Sequence, residues 1–333
     1  MIFLERISKK VPEARLSVSA IAVGGLFLSL TVSVKDDLLL SRDQINQAGV
    51  TGRSEASHSK TLAKPETILI LASVAKVKDA FTNAGYELDA VRRGQVAVPR
   101  LQLASLPYDI SQIRRAQDRK AVFLRYMLPY VLQANKHVRQ QRIRMLSLQP
   151  MVEKGQPLVL EEAMWLKALC EEYRVKPCDF VGLSPRVDTV PVSLALAQAA
   201  IESGWGRSRF AQEGNAPFGQ WTTKNHAGMV PKERKAGMTH KVRSFKSLSK
   251  SAESYLRNLN THRAYKGFRD LRASFRRDKA PVDSCAIAGT LLKYSEKGKA
   301  YVDLLRHIIE KNDLRALDGA QLGDAYLKFR PDA

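Results

Sequence analysis

The run Ala199-Ala200-Ile201-Glu202-Ser203-Gly204-Trp205-Gly206, followed closely by Asn215-Ala216-Pro217-Phe218-Gly219, decides the reading of this chain. Just upstream, Val192 to Ile201 is dominated by Ala and Leu, which predicts a helix from about Pro191 to Ser203 buried on most faces. Pro191 suits a first turn, and Thr189 ahead of it is a residue type that caps helices. Glu202 then closes a buried helix, where a carboxylate does little for stability. Burial without a partner disfavours the charged form and raises the pKa. A carboxyl held protonated near neutral pH is what acid catalysis of glycoside cleavage requires. The structural alternative pairs Glu202 with Arg207 or Arg209 at an ordinary helix end.

The pattern Ile-Glu-Ser-Gly-Trp-Gly with Asn-x-x-Phe-Gly resembles the catalytic core of the bacterial glucosaminidase domain, glycoside hydrolase family 73, whose members cleave peptidoglycan. The resemblance makes Glu202 the general acid. It extends to Bax-type bacterial proteins through Ser251 to Tyr265, Phe268 to Ala273 and Leu292 to Tyr301, and upstream through Arg119 to Phe123 and Leu128-Pro129. It implies a mainly α, lysozyme-like helical domain with a small β-hairpin lobe. It also implies a β-N-acetylglucosaminidase acting within glycan strands. A muramidase or lytic transglycosylase, and a catalytically silent wall-binding module, are the competing functions.

Acid catalysis needs a second group opposite Glu202, either a carboxylate that activates water or the substrate's own N-acetyl group. Glu233 is the only acidic residue from Gly214 to Ser251, and Lys232 and Arg234 flank it, which favours its ionised form. It is the candidate base; a charged loop turn is the alternative. The resemblance places Tyr294 near the acid, to meet the acetamido group or position water, with Tyr301 keeping the family's spacing. Phe218, Trp221 and Tyr265 are candidates for sugar stacking, Asn215 for bracing the turn through its amide, and Trp205 for packing. No spacing of Cys and His fits a metal site, and no cofactor is expected. Cys170, Cys178 and Cys285 are odd in number; Cys170 and Cys178 either bridge or serve as structural cysteines.

Residues 16–34 carry no charge, and as a helix they would span about 28 Å, near a bilayer's hydrocarbon thickness. Arg6, Lys9, Lys10 and Arg15 precede this run, while Asp36 and Asp37 follow Lys35, so the N-terminus is expected in the cytoplasm and the body in the periplasm. The favoured reading is a single-pass inner-membrane anchor. A signal peptide cleaved near Thr31-Val32-Ser33 is the alternative. The domain expectations are a cytoplasmic tail (1–15), the anchor (16–34), a spacer and N-terminal region (35–106), a helical region (107–185), the catalytic domain (186–313) and a C-terminal tail (314–333).

The chain holds 54 Lys and Arg against 33 Asp and Glu, a net +21. Such a surplus suits polyanions, nucleic acid first among them. The basic residues are scattered, no nucleic-acid-binding motif accompanies them, and the export signal points away from the nucleoid. Peptidoglycan glycan strands, whose peptide stems carry carboxylates, are the expected partner; nucleic acid is not. Periodicity predicts helices at Asp109–Leu148 (interrupted near Pro129), Glu161–Arg174, Arg207–Gln212, Ser249–Asn260, Val282–Leu292 and Lys299–Glu310. It predicts strands at Phe218–Thr222 and His240–Phe245, joined by a polar loop.

Overall fold

The computed structural model describes residues 73–101, 103, 105–222, 228–231, 239 and 241–327. The expected anchor at 16–34, its cleavage site and Glu233 lie outside these residues. Among the described residues, no helix is long and apolar enough to cross a membrane.

Helices α1 (Val74–Asn83) and α2 (Leu88–Arg92) lead into strand β1 (Val98–Leu101). The long helix α3 (Ala116–Glu153) follows and runs unbroken through Pro129, where an interruption was expected. Proline lacks the N–H that would satisfy the carbonyl four residues back. That carbonyl belongs to Arg125, and the Tyr86 hydroxyl donates to it at 3.0 Å. The buried neighbours Met127, Leu128, Tyr130 and Val131 hold the helix together through the same turn. The C-terminal half of α3 packs with α4 (Leu160–Tyr173) and α5 (Phe180–Leu183) around a smaller apolar cluster containing Met145, Leu169, Tyr173 and Phe180. Cys170, Cys178 and Cys285 are free thiols.

Helix α6 (Val192–Ser203) forms where the Ala/Leu run predicts it, and ten of its twelve residues are buried. Thr189 does not cap it. The N–H and hydroxyl of Ser193 instead donate to the two carboxylate oxygens of Asp318, at 2.8 and 2.7 Å. A carboxylate 125 residues away thus meets the positive end of the helix. At the other end Gly204 is left-handed (φ 57°), Trp205 N–H donates to Ala200 O and Gly204 N–H to Ile201 O, which is a Schellman closure.

The short helix α7 (Arg209–Glu213) precedes a three-stranded antiparallel sheet of β2 (Trp221–Thr222), β3 (Gly228–Met229) and β4 (Lys241–Arg243), with β4 in the centre. Two differences from expectation stand here. Phe218 lies in the turn before β2 rather than in a strand, and the connecting loop contributes strand β3. Two-residue strands carry too few side chains for an alternating pattern. Gly228 allows the close approach, since a Cβ there would lie 2.8 Å from Val242 O.

Helices α8 (Leu248–Thr261), α9 (Lys266–Arg277), α10 (Ser284–Ala288) and α11 (Lys299–Lys311) complete the helical body. Helix α9 was not expected. Its buried face is Phe268, Arg269 and Arg272, and two arginines break an apolar periodicity. Helix α10 is shorter than expected at both ends, with Asp283 capping it through the Cys285 and Ala286 N–H groups. Within the segment read as a C-terminal tail, β5 (Leu322–Leu327) pairs in parallel with β1.

Tyr86→Phe should leave the Arg125 carbonyl unsatisfied beside Pro129 and cost about 1–3 kcal/mol of unfolding free energy. Urea denaturation checks this; an unchanged midpoint would show that water satisfies the carbonyl.

Candidate active site

Three consecutive left-handed residues, Gly204, Trp205 and Gly206 (φ 57°, 60° and 81°), turn the chain sharply after α6. Gly206 sits against Phe123 and Ile110, where a Cβ would come within 3.1 and 3.2 Å of their side chains. Trp205 packs edge-on against Phe123, with Lys120 over its ring, in agreement with a packing role. This turn leaves Glu202 half-buried in the last turn of the helix.

The second motif closes over it. Gly219 is left-handed (φ 60°), and a Cβ there would lie 2.9 Å from Glu202 Oε2, so the Phe-Gly turn rests directly on the carboxyl. Asn215, itself left-handed (φ 49°), donates from Nδ2 to Phe245 O at 3.2 Å and ties that turn to the end of the β-lobe. Tyr294 donates to Phe218 O at 3.1 Å. Its hydroxyl proton thus braces the turn that rests on Glu202.

The hydroxyl at the carboxyl belongs to Tyr301. It hydrogen-bonds to Glu202 and accepts from Gln198 Nε2 at 3.0 Å. Gln198 Oε1 accepts from the Tyr255 hydroxyl at 2.7 Å. Gln198 is fully buried and stands one turn before Glu202 on the same face of α6. Because Gln198 donates to Tyr301, the single hydroxyl proton of Tyr301 is left for Glu202. Burial raises the Glu202 pKa, while the Tyr301 hydrogen bond and the charge of Lys297 partly oppose the rise. Burial, then the charge of Glu202, drives Tyr301 far above the usual phenol range. Arg209 is engaged elsewhere, with Glu213 and Val230 O, and Glu202 forms no ion pair among the described residues.

The aromatic residues sort differently from expectation. Phe218 is 1 % exposed and stacked face to face on Tyr255 at 4.1 Å, so its ring offers no surface to a sugar. Tyr265 is also buried, against Tyr294 and His262, and Tyr294 stacks in turn on Tyr301. Trp221 is the exception at 61 % exposed, on β2 two residues after Gly219. Sequence reasoning missed Gln198 and Tyr255 and noted Tyr301 only for its spacing. The available signal was Gln198 itself, a long polar side chain in an apolar run four residues before Glu202. Among the described residues, no three His, Cys, Asp or Glu side chains gather where a metal would bind.

A half-buried carboxyl thus stands at the end of a buried helix, beneath the turn that leads into a small β-lobe. A family model described as mannosyl-glycoprotein endo-beta-N-acetylglucosaminidase matches residues 183–314. The chain is 34% identical over 215 residues, 63% of its own length and 75% of the relative, to "Protein bax" of Escherichia coli (strain K12). No solved structure matches. The chain belongs to the Bax-type glucosaminidase-domain family, and that membership supports a function of the peptidoglycan-hydrolase type.

With a folded pKa above its unfolded value, Glu202 holds in the folded state a proton that the unfolded chain releases. Stability is therefore lost as pH rises through that window, and the loss persists above it. Glu202→Gln should melt like wild type below about pH 4 and at a progressively higher temperature than wild type as pH rises past it. Tyr301→Phe removes a bond to the charged form and should raise the Glu202 pKa further in a carboxyl-carbon NMR titration; a fall would rule out the donor role.

Proposed function

We propose that this protein is an endo-β-N-acetylglucosaminidase that cuts peptidoglycan glycan strands at the β-1,4 bond after N-acetylglucosamine. The observation that carries the reading is Glu202, half-buried, with its pKa raised by burial and a Tyr301 hydroxyl aimed at it. In the neutral form Glu202 donates its proton to the glycosidic oxygen as the C1–O bond breaks and the bonding pair leaves with that oxygen. Tyr301 then hydrogen-bonds to the carboxylate that forms, so the same contact that resists the ground-state rise favours the product of proton transfer. Two routes complete the step. In one, water adds to C1 and gives its proton to Glu233. In the other, the substrate's own N-acetyl oxygen bonds to C1 first and water then displaces it, the water proton returning to the Glu202 carboxylate. Trp221 is the exposed aromatic surface beside the turn for a sugar ring.

The same reading places the body in the periplasm, held to the inner membrane by residues 16–34. Support for this comes from the charge-free run and the basic residues before it.

Purified protein incubated with sacculi should release soluble fragments, and Glu202→Gln should slow that release by about 10²–10⁴-fold while leaving wall binding intact. Mass spectrometry of the fragments should find reducing N-acetylglucosamine ends. Ends of the 1,6-anhydro type would make the protein a lytic transglycosylase, and binding without release by the wild type would make it a wall-binding module.

A further inference from the structure

A cavity of about 600 Å³ opens at the end of α6 opposite Glu202. Twelve residues of helix put the two ends about 18 Å apart, so the cavity stands clear of the acid. Lys136 and Arg139 line it from one face of α3, and Arg276 from the last turn of α9. Lys136 and Arg139 are exposed, one turn apart, and in no ion pair among the described residues. Arg276 grips Asp188 with bonds of 3.0 Å, yet keeps 43% of its side chain exposed. Against these three cations the lining holds a single acid, Asp318, whose oxygens are already engaged by Ser193.

The rest of the lining is mostly apolar, with Val192, Val282 and Leu322 among it. It is also held in place beforehand. The Asn135 amide takes both backbone groups of Val190, at 2.8 and 2.9 Å, and fixes the wall where α6 begins. Spaced cations around small-alkyl surface do not form the tight donor cradle that a lone phosphate needs. They match an extended peptide that alternates carboxylates with small side chains.

We infer that this cavity is a second binding site, and that it takes the carboxylate-bearing peptide stem of peptidoglycan. The inference rests on the peptidoglycan reading above. It gives part of the chain's positive surplus a specific task, which is to hold a stem on one side of the body while the opposite end of α6 meets glycan.

Calorimetry on the full chain carrying Glu202→Gln tests this without cleavage, using as probe the free peptide stem released from sacculi by an amidase. The stem should bind, more weakly as salt rises, and adding Lys136→Glu with Arg139→Glu should cut the affinity about tenfold or more. The same two substitutions in an otherwise wild-type chain should leave cleavage of peptide-free N-acetylglucosamine oligomers unchanged. Unaltered stem binding in the charge-reversed protein, no stem binding at all, or inorganic phosphate binding as tightly as the stem would each overturn the assignment. A protein that binds the stem at this site but cleaves no glycan would uphold the site and remove the glucosaminidase reading alone.

Discussion

Everything about the site follows from the enclosure of α6. Ten of its twelve residues are buried, so the helix cannot tilt or slide without opening gaps against α3, α10 and α11. Leu194 and Leu196 alone each account for about 1.5–3 kcal/mol of transfer free energy. Both ends are pinned: Asp318 bonds to Ser193 at the start, and the Schellman closure at Gly204 ends the helix. A helix held so firmly fixes the position of its last side chains to within a fraction of a turn. Glu202 is set in an environment that opposes its charge because the scaffold around it leaves it no other place.

A second constraint works from the opposite side. Arg272 is fully buried and donates to the carbonyls of Pro185, Asp188 and Thr189 and to Asn260 Oδ1, all within 3.1 Å. Burial lowers its pKa to about 10, still leaving it charged at neutral pH. Burial alone would raise the Asp188 pKa, but Arg272 and Arg276 outweigh it and hold the carboxyl below its usual range. Such a buried ion pair contributes little net stability, while losing one partner is costly. Its consequence here is positional, since it ties the segment entering α6 to α8 and α9.

The hydrogen-bond chain from Tyr255 through Gln198 to Tyr301 and Glu202 has a direction set by donor count. Gln198 has a donor for one tyrosine and an acceptor for the other, and the order of those bonds decides where the last proton points. Stacking of Tyr294 on Tyr301, and of Phe218 on Tyr255, keeps the hydroxyls in register. Aromatic residues that read as sugar platforms are thus mostly packed against the tyrosines around Glu202.

The position of Glu202 was legible because it is a local matter. An apolar run ending in Glu-Ser-Gly-Trp-Gly specifies a buried helix, its stop and the residue at its tip, all within about fifteen residues. The main helices were legible for the same reason, through apolar spacing. What was not legible depended on partners distant in the chain. Helix α3 survives Pro129 because Tyr86 happens to reach Arg125; α9 hides behind Arg269 and Arg272, the second of which reaches carbonyls 83–87 residues away; β1 finds β5 across the whole body. The same holds for Tyr301, which meets Gln198 across 103 residues, and for the paired cations and apolar wall at the far end of α6. The sequence alone determined which carboxyl would stand at the end of the buried helix, because helix periodicity and capping act over a few residues. Only the tertiary structure decided which hydroxyl addresses it and where a cavity opens at the other end of α6, because those contacts are made by packing between segments that no local pattern connects.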